Sequence, residues 1–275
     1  MSNLLETVAN DLIAQIKEDT LVLPSLPEVC LKVRDVGEDI NSNIPQLADL
    51  ISQDAALTAR IIKVANSPLV RTPSEVSDLT TAITRLGINF TSNLAMGLAM
   101  EQMFQATSDT IDKRMRLIWS QSSEVASICH VLATHFTKLH PDQAMLAGLV
   151  HKIGALPVLS YAEENNALLN DGQALDKLIE KLHPIIGSYI LKAWKFPKAL
   201  QAVPSQYLKF DRETDKGDYV DLVTVAVLQE HIGTEHPFTQ LDWNTIGAFE
   251  RLGIDPEMEM AEVIDVDDDI KGLLE

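Results

Sequence analysis

Apolar side chains recur every three or four positions along most of this chain, which is the spacing of an amphipathic α-helix. In residues 4–16, for example, Leu5, Val8 and Leu12 fall on one stripe. No window holds the five or six alternating β-branched residues that are typical of a strand. The pattern therefore predicts an all-α protein.

The same spacing predicts the extent of each helix. Asn43 and Asp54 are expected to cap helices, Gly87 to form a hinge, and Trp194 to pack in the core rather than form a docking patch for a partner. The predicted helices cover residues 4–16, 28–38, 45–53, 55–66, 78–86, 90–104, 113–139, 142–151, 155–169, 173–182, 184–195, 219–232 and 245–252.

The apolar pattern is interrupted at residues 105–112, QATSDTID, which predicts a boundary between two helical lobes. No repeat of fixed period is present, so a solenoid is not expected. We expect an N-terminal helix in 1–20, a helical lobe in 21–108, a second helical lobe in 109–235, and C-terminal helices with an acidic tail in 236–275.

The net charge of the chain limits the classes of partner that it is expected to bind. The 275 residues hold 22 basic and 40 acidic side chains, a formal net charge of −18. Such a surface repels phosphate backbones and anionic membranes, so neither nucleic acid nor a membrane is an expected partner. Residues 255–275 hold nine acidic residues and one lysine. This tail is expected to be a solvated terminal helix, with an acidic docking segment for a basic partner as the alternative.

The chain is expected to be cytoplasmic. The N-terminus has no basic start typical of a signal peptide. The longest apolar run, Leu222–Leu228, is interrupted by Thr224 and is far shorter than the ~18–20 residues of a membrane span. Cys30 and Cys129 lie among apolar neighbours without a CxxC pairing, which predicts two buried thiols. One disulfide between them is the alternative.

The two short helices at 45–53 and 55–66 raise the possibility of a helix-turn-helix. A recognition helix needs basic and amide side chains on its outer face. The second helix offers Arg60, Lys63 and Asn66, with Arg71 beyond it. Pairs of amphipathic helices are also the ordinary packing of all-α proteins, and the net charge opposes DNA binding.

Six segments of the chain carry a distinctive pattern: LPSLPEVCLKVRDV, LADLISQDAALTARIIKVANSP, AITRLGINFTSNLAMGLAM, IWSQSSEVA (118–126), AGLVHKIG (147–154) and HPIIGSYILKAWKFP (183–197). Taken together they resemble the HDOD family, whose members are degenerate relatives of the HD phosphohydrolases and occur in bacterial signalling proteins. The resemblance covers about residues 20–235 and implies an HD-domain-like helical fold.

The resemblance also implies where an HD enzyme would hold its metal ligands. Gln121 stands where a histidine is expected, and Lys152 stands where the aspartate of the His-Asp pair is expected. His151 and His183 match retained histidines. The final aspartate of the motif falls near Gln229-Glu230, with its register open.

Lys152 is the most consequential of these differences. A divalent metal prefers anionic oxygen ligands, whereas a lysine ammonium can only donate hydrogen bonds and repels the ion. We therefore expect a vestigial pocket of Gln121, His151, Lys152 and His183, with no catalytic residue, metal or cofactor. The pocket is either a polar plug that satisfies its own hydrogen bonds or a site where Lys152 holds an anion, such as a nucleotide phosphate.

The resulting expectation is a non-catalytic HDOD-type signal-transduction protein that acts through contacts with other signalling proteins. The first alternative is a metal-dependent phosphohydrolase of the HD superfamily, acting on a nucleotide or another phosphoester. The second is a helix-turn-helix regulator that binds DNA. The alternatives are separated by metal content and by turnover of phosphoesters.

Overall fold

The computed structural model describes residues 2–18, 20, 23–67 and 75–258. Over these ranges the chain forms helices and turns without a strand, which confirms the all-α prediction. The α-helices are α1 (Ser2–Lys17), α2 (Glu28–Glu38), α3 (Ile44–Ile51), α4 (Ala55–Ala65), α5 (Leu79–Leu86), α6 (Ile88–Met100), α7 (Asp109–Phe136), α8 (Pro141–Val150), α9 (Ala155–Glu163), α10 (Asn166–Leu169), α11 (Gly172–Ala193), α12 (Lys198–Gln201), α13 (Val203–Gln206), α14 (Tyr219–Glu230) and α15 (Gly247–Leu252). Single 3₁₀ turns occupy Glu101–Met103, Pro237–Gln240 and Trp243–Thr245.

Side-chain caps begin α3 and α4 where the sequence predicts them. Asn43 Oδ1 accepts the Gln46 N–H at 3.1 Å, and the Gln46 side chain accepts the Asn43 N–H at 3.0 Å. Asp54 Oδ1 accepts two backbone N–H groups at the start of α4, at 2.9 and 3.0 Å. Gly87, with φ 84°, joins α5 to α6 in the left-handed region that favours glycine. The three predicted helix boundaries are confirmed.

The prediction of separate helices over 173–182 and 184–195 is wrong. They form the single helix α11, with Pro184 in its interior. Leu182 before the proline and Ile186 and Ile190 after it are all buried on one face. Because the apolar stripe continues across Pro184, both halves pack on the same core, and this packing offsets the missing backbone N–H.

The single helix expected over 155–169 is also wrong. α9 ends at Glu163, and Asn165 begins α10 by accepting the Ala167 N–H at 3.1 Å. A local side-chain cap therefore stops a helix that the apolar spacing alone would continue. The short helices α12 and α13 were not predicted.

Buried apolar side chains form one contiguous core that extends from α1 to α15. Trp194 belongs to it, as predicted, and its Nε1 donates to the Pro24 carbonyl oxygen at 3.1 Å. Cys30 and Cys129 are free and buried, which confirms the two thiols and leaves the disulfide alternative wrong. Burial raises the pKa of the Cys30 thiol to about 12. This core continues from one predicted lobe into the other, so it does not test where the lobes divide. The lobe boundaries remain a prediction.

The helical stretch Pro141–Glu163 has the length and composition of a membrane span, with a mean hydropathy of 1.3 in its most apolar window. However, 83% of that window is buried inside the protein. The stretch includes α8 and α9 and lies at the centre of the core, as the core helix of a soluble protein does. The acidic tail from residue 259 onward lies outside the described residues.

The predicted helix pair corresponds to α3 and α4. Arg60 of α4 forms an ion pair with Glu101, and the Asn66 amide makes two hydrogen bonds of 2.7 Å to the backbone of Val76. Lys63 is exposed, and Arg71 lies outside the described residues. Two of the side chains expected to contact DNA are therefore engaged in holding the protein together.

Candidate functional site

The four sequence-predicted site residues come from three helices and one turn. Gln121 lies in α7, His183 lies in α11, and His151 forms the C-terminal cap of α8. Lys152 follows in the turn 151–154 that connects α8 to α9. α7 packs against α8, α9 and α14, and α11 packs against α9, so these segments meet at one place in the core.

Gly154 allows the start of α9 to pack closely against α11 at this place. A Cβ atom on Gly154 would lie 2.1 Å from the His183 carbonyl oxygen and 2.4 Å from the Gly187 nitrogen. Both obstacles are backbone atoms of α11, which cannot move aside as a side-chain tip can. The absence of a side chain at residue 154 therefore lets the start of α9 touch α11, and this contact brings Lys152 and His183 to the same cavity.

Gln121, Lys152 and His183 line a cavity of about 560 Å³. His151 is fully buried and does not line it; its ring packs edge-on against Tyr207, with the centroids 5.1 Å apart. The structure thus places three predicted residues at the cavity and the fourth behind its wall. Apolar walls are provided by Leu117, Ile118, Ile179, Leu208, Val227 and Phe238.

Lys152 and Gln121 form the polar contact of the cavity. Lys152 Nζ donates to Gln121 Oε1 at 3.2 Å. Burial lowers the pKa of Lys152, and the nearby Glu230 carboxylate opposes this by favouring the charged form. An ammonium group has three N–H donors. Within the described residues, Lys152 uses one of them, in its bond to Gln121.

The two predicted histidines are neutral imidazoles. His151 Nδ1 donates to the Gly148 carbonyl oxygen at 2.6 Å, so its Nε2 carries the lone pair. His183 Nε2 contacts the Tyr207 hydroxyl at 3.3 Å. His151 Nε2 and His183 Nδ1 have no hydrogen-bond partner within the described part of the chain. Burial, followed by the Lys152 charge, lowers the pKa of His183 to about 3 and that of His151 well below its usual value.

This donor set does not fit a divalent metal ion. The two imidazoles each have an unpartnered nitrogen, but Gln121 Oε1 already accepts a hydrogen bond from Lys152. The ammonium of Lys152 would also repel a cation. Over the described ranges, no three His, Cys, Asp or Glu side chains are grouped so that they could hold a metal.

Gln229 and Glu230, at the end of α14, have different partners. Gln229 Nε2 donates to the Met258 carbonyl oxygen at 3.0 Å, so that side chain is engaged with the C-terminal segment. Glu230 instead acts electrostatically on Lys152 and Tyr207. Of these two residues, Glu230 is therefore the one whose charge acts on the site, in addition to the lining residues Asp176 and Glu180.

Two further histidines at the cavity were not predicted. The rings of His231 and His236 are stacked, with centroids 3.8 Å apart and planes 12° apart, and both residues line the cavity. Gly233, at φ 76°, lies in the turn between them. Burial lowers the pKa of both, that of His231 to about 4. Their five-residue spacing across a glycine is the signal that could have indicated this pair.

Comparison with known proteins agrees with this architecture. A crystal structure of a "putative metal-dependent phosphohydrolase" from Shewanella amazonensis SB2B is 31% identical, covers 100% of both chains and has a TM-score of 0.86. A "putative signal transduction protein" from Marinobacter aquaeolei VT8 is 21% identical, with a TM-score of 0.66 over 98% of this chain and 66% of that one. The second likeness concerns the fold alone.

Sequence comparisons cover most of the chain. An uncharacterized protein from Treponema pallidum (strain Nichols) is 26% identical over 208 residues, which are 70% of this chain and 39% of that protein. This chain thus matches well under half the length of that relative. The model of the HDOD domain matches residues 23–207, which include all four predicted site residues. The chain belongs to the HDOD domain family.

Proposed function

We propose that this chain is a non-catalytic HDOD signal-transduction protein of the bacterial cytoplasm, acting through contacts with other signalling proteins. The observation that carries the proposal is the Lys152 ammonium, which donates to Gln121 Oε1 at 3.2 Å in the cavity of the predicted site. Both residues stand where the resemblance to HD enzymes implies a metal ligand. A hydrogen-bonded pair thus occupies the place of two ligands.

The chemistry of hydrolysis supports this reading. Metal-assisted hydrolysis of a phosphoester needs an ion that lowers the pKa of its bound water. Two like charges at ~4 Å repel each other by about 1 kcal/mol in water and about 4 kcal/mol at the effective dielectric of a protein surface. Lys152 contributes this repulsion where a carboxylate would attract the ion. The buried imidazoles of His151 and His183 do not supply the missing negative charge.

Phosphohydrolase activity remains the alternative function. The name of the Shewanella amazonensis relative refers to metal-dependent phosphohydrolysis, and that relative is similar over the full length. A shared fold is nevertheless weak evidence for shared chemistry, because chemistry depends on the residues of the site. The name of the Marinobacter aquaeolei protein refers instead to signal transduction.

The test compares wild type with the double variant Gln121→His/Lys152→Asp. Each protein is purified without chelators, its metal content is measured, and it is assayed against a panel of nucleotides and phosphodiesters. We expect little metal and no turnover with wild type, and binding of a divalent transition metal by the double variant. The proposal does not require the double variant to hydrolyse a phosphoester, because catalysis also needs groups that orient the metal ligands.

A matched control is Gln121→His/Lys138→Asp. It introduces the same histidine and the same change of charge, but Lys138 is exposed and does not line the cavity. We expect this control to bind metal no better than wild type. Stoichiometric metal in wild type, together with turnover of a phosphoester, would refute the proposal and establish the enzyme.

A further inference from the structure

We propose that the cavity binds a small apolar molecule that carries a single carboxylate, with the Lys152 ammonium holding the carboxylate. The inference rests on the proposed function, because a site loaded with metal would require Lys152 to be displaced. It names the class of signal that this protein would sense. Four properties of the cavity lead to it: unused hydrogen bonds, charge, wall composition and size.

Hydrogen-bonding groups at the cavity are incompletely used. Lys152 donates one hydrogen bond, to Gln121, and has two further N–H groups. His183 is only 3% exposed, yet its Nδ1 has no partner among the described residues. When the Tyr207 hydroxyl donates to His183 Nε2, the Nδ1 carries the hydrogen, but this nitrogen has no surface open to the cavity. The two oxygens of a carboxylate therefore match the two remaining N–H groups of Lys152.

The charges of the cavity disfavour a ligand with several negative charges. Arg114 and Lys152 line it together with Asp176 and Glu180, and Arg114 forms an ion pair with Asp176. Lys152 is then the cation of the described lining that has no ion pair, while Glu180 and the nearby Glu230 contribute negative potential. A nucleotide phosphate with two or more charges would therefore be repelled more strongly than a monocarboxylate, whose single charge lies against the Lys152 ammonium.

The remaining walls are suited to an apolar body. Ile118, Ile179, Val227 and Phe238 line the cavity, and the stacked rings of His231 and His236 close another side. The lowered pKa values of these histidines keep their rings neutral near pH 7. Leu117, which is 59% exposed, lies at the opening. Apolar walls with a few polar groups, in a volume near 560 Å³, are typical of small-molecule sites.

The test is calorimetric titration of the full chain with octanoate, octanol and adenosine monophosphate. Octanoate is the probe for an apolar monocarboxylate, octanol has the same chain length without the charge, and the nucleotide carries a phosphate. We expect octanoate to bind with one molecule per chain, and both other compounds to bind at least about tenfold more weakly, since a hydrogen bond to a charged group is worth roughly that ratio.

Two variants locate the binding. Lys152→Met keeps the apolar length of the side chain and removes its charge, so we expect octanoate affinity to fall about tenfold or more. The matched control Lys138→Met removes an exposed lysine elsewhere and should leave affinity unchanged. Leu117→Trp adds bulk at the opening, on a side chain whose exposure makes folding insensitive to the change, and should also block octanoate.

The inference is overturned if wild type does not bind octanoate, if Lys152→Met and Leu117→Trp both bind it as well as wild type does, or if the nucleotide binds more tightly. The phosphoester assay of the same preparations separates this result from the proposed function. Turnover by wild type refutes the non-catalytic proposal whether or not octanoate binds. Absence of octanoate binding without turnover refutes the carboxylate inference alone.

Discussion

Helix α14 carries a buried polar cluster at each end, and the two clusters differ in how completely their members are paired. At its N-terminal end, Asp221 is 1% exposed and interacts with Arg212 and Arg251. At its C-terminal end, Glu230 acts electrostatically on Lys152 and Tyr207, which line the cavity with His183. Both clusters place charge inside a small all-α protein.

The Asp221 cluster is complete. Asp221 Oδ1 accepts from Arg212 at 3.0 Å and from Arg251 at 2.7 Å, and its Oδ2 accepts from Arg251 Nε at 3.0 Å. Arg212 also pairs with Asp218, which caps α14. These bonds join α14 to α15 and to the loop before α14. A buried charge whose hydrogen bonds are all made within the protein serves the fold.

The cavity cluster is incomplete. Lys152 uses one N–H, and His183 Nδ1 has no partner within the described ranges. Lys152 and His183 line a cavity, whereas the hydrogen bonds of Asp221 are made to two arginines of the protein. Buried charge alone therefore does not indicate a site; unmet hydrogen-bonding capacity beside a cavity does.

The largest effect is expected from breaking the complete cluster. Asp221→Asn keeps the shape of the side chain but leaves Arg212 and Arg251 without their shared anion, so we expect the free energy of unfolding to fall by about 3 kcal/mol. Urea denaturation measures this. The control Arg116→Ala removes an exposed ion pair with Asp112 and should cost less than about 1 kcal/mol. Equal losses in the two variants would contradict the structural role of Asp221.

The next largest loss of stability is expected from disturbing the packing that shapes the cavity. Gly154→Ala forces a Cβ against the backbone of α11, and we expect a loss of about 2–3 kcal/mol in urea denaturation. In the control Gly97→Ala, the nearest atom is the Leu149 side-chain tip at 2.4 Å, which can rotate away. The control should therefore lose less stability than Gly154→Ala. The reverse order would show that the contact between α9 and α11 can relax.

The free energy of unfolding should fall in acid, because the imidazole of His183 is buried in its neutral form. His183 has a pKa of about 3 in the folded protein, below its ordinary 6.5, so the unfolded chain takes up a proton first as pH falls. Stability is thus lost between pH 6.5 and 3, by about 2 kcal/mol at pH 5. His183→Gln lacks this contribution and should show a shallower decline between pH 7 and 5. Identical slopes would show that His183 does not titrate in this way.

The smallest effect is expected at Lys152. Lys152→Met should be within about 1 kcal/mol of wild type at pH 7, because the lost attraction to Glu230 is offset by removal of the cost of burying the Lys152 ammonium. The pKa of Lys152 is lowered below 10.5 by folding, so wild type gains stability relative to the variant as pH rises toward 10.5. Urea denaturation at pH 7 and pH 10 measures the difference. A large loss at pH 7 would place Lys152 with Asp221 among the residues that hold the fold.

Much of the fold was predictable because its determinants are local. The apolar spacing predicted most helices, and Asn43 and Asp54 were identified as caps from their own side-chain chemistry. The burial of Cys30, Cys129 and Trp194 followed from their apolar neighbours. Pro184 is the exception, because local signals mislead there. Its local effect favours a break, but the core on which α11 packs extends past it.

The candidate site was predictable only in part. Resemblance identified Gln121 and Lys152 as departures from a metal-binding pattern. The role of the stacked pair of His231 and His236 is not evident from local pattern, because both residues face a cavity whose other walls come from distant parts of the chain. Likewise, the choice between Gln229 and Glu230 depends on which side of α14 meets Met258 and which meets Lys152.

The order of residues was enough to predict an all-α protein with a large negative charge, and the family resemblance placed Lys152 where a metal ligand is expected. Which buried polar groups find partners depended on tertiary packing: Asp221 is fully paired, whereas His183 Nδ1 has no partner among the described residues. The two kinds of property differ in the distance over which their causes act. Helix propensity and capping act over one or two turns, whereas hydrogen-bond completion depends on backbones that approach closely across the core, as α9 and α11 do at Gly154.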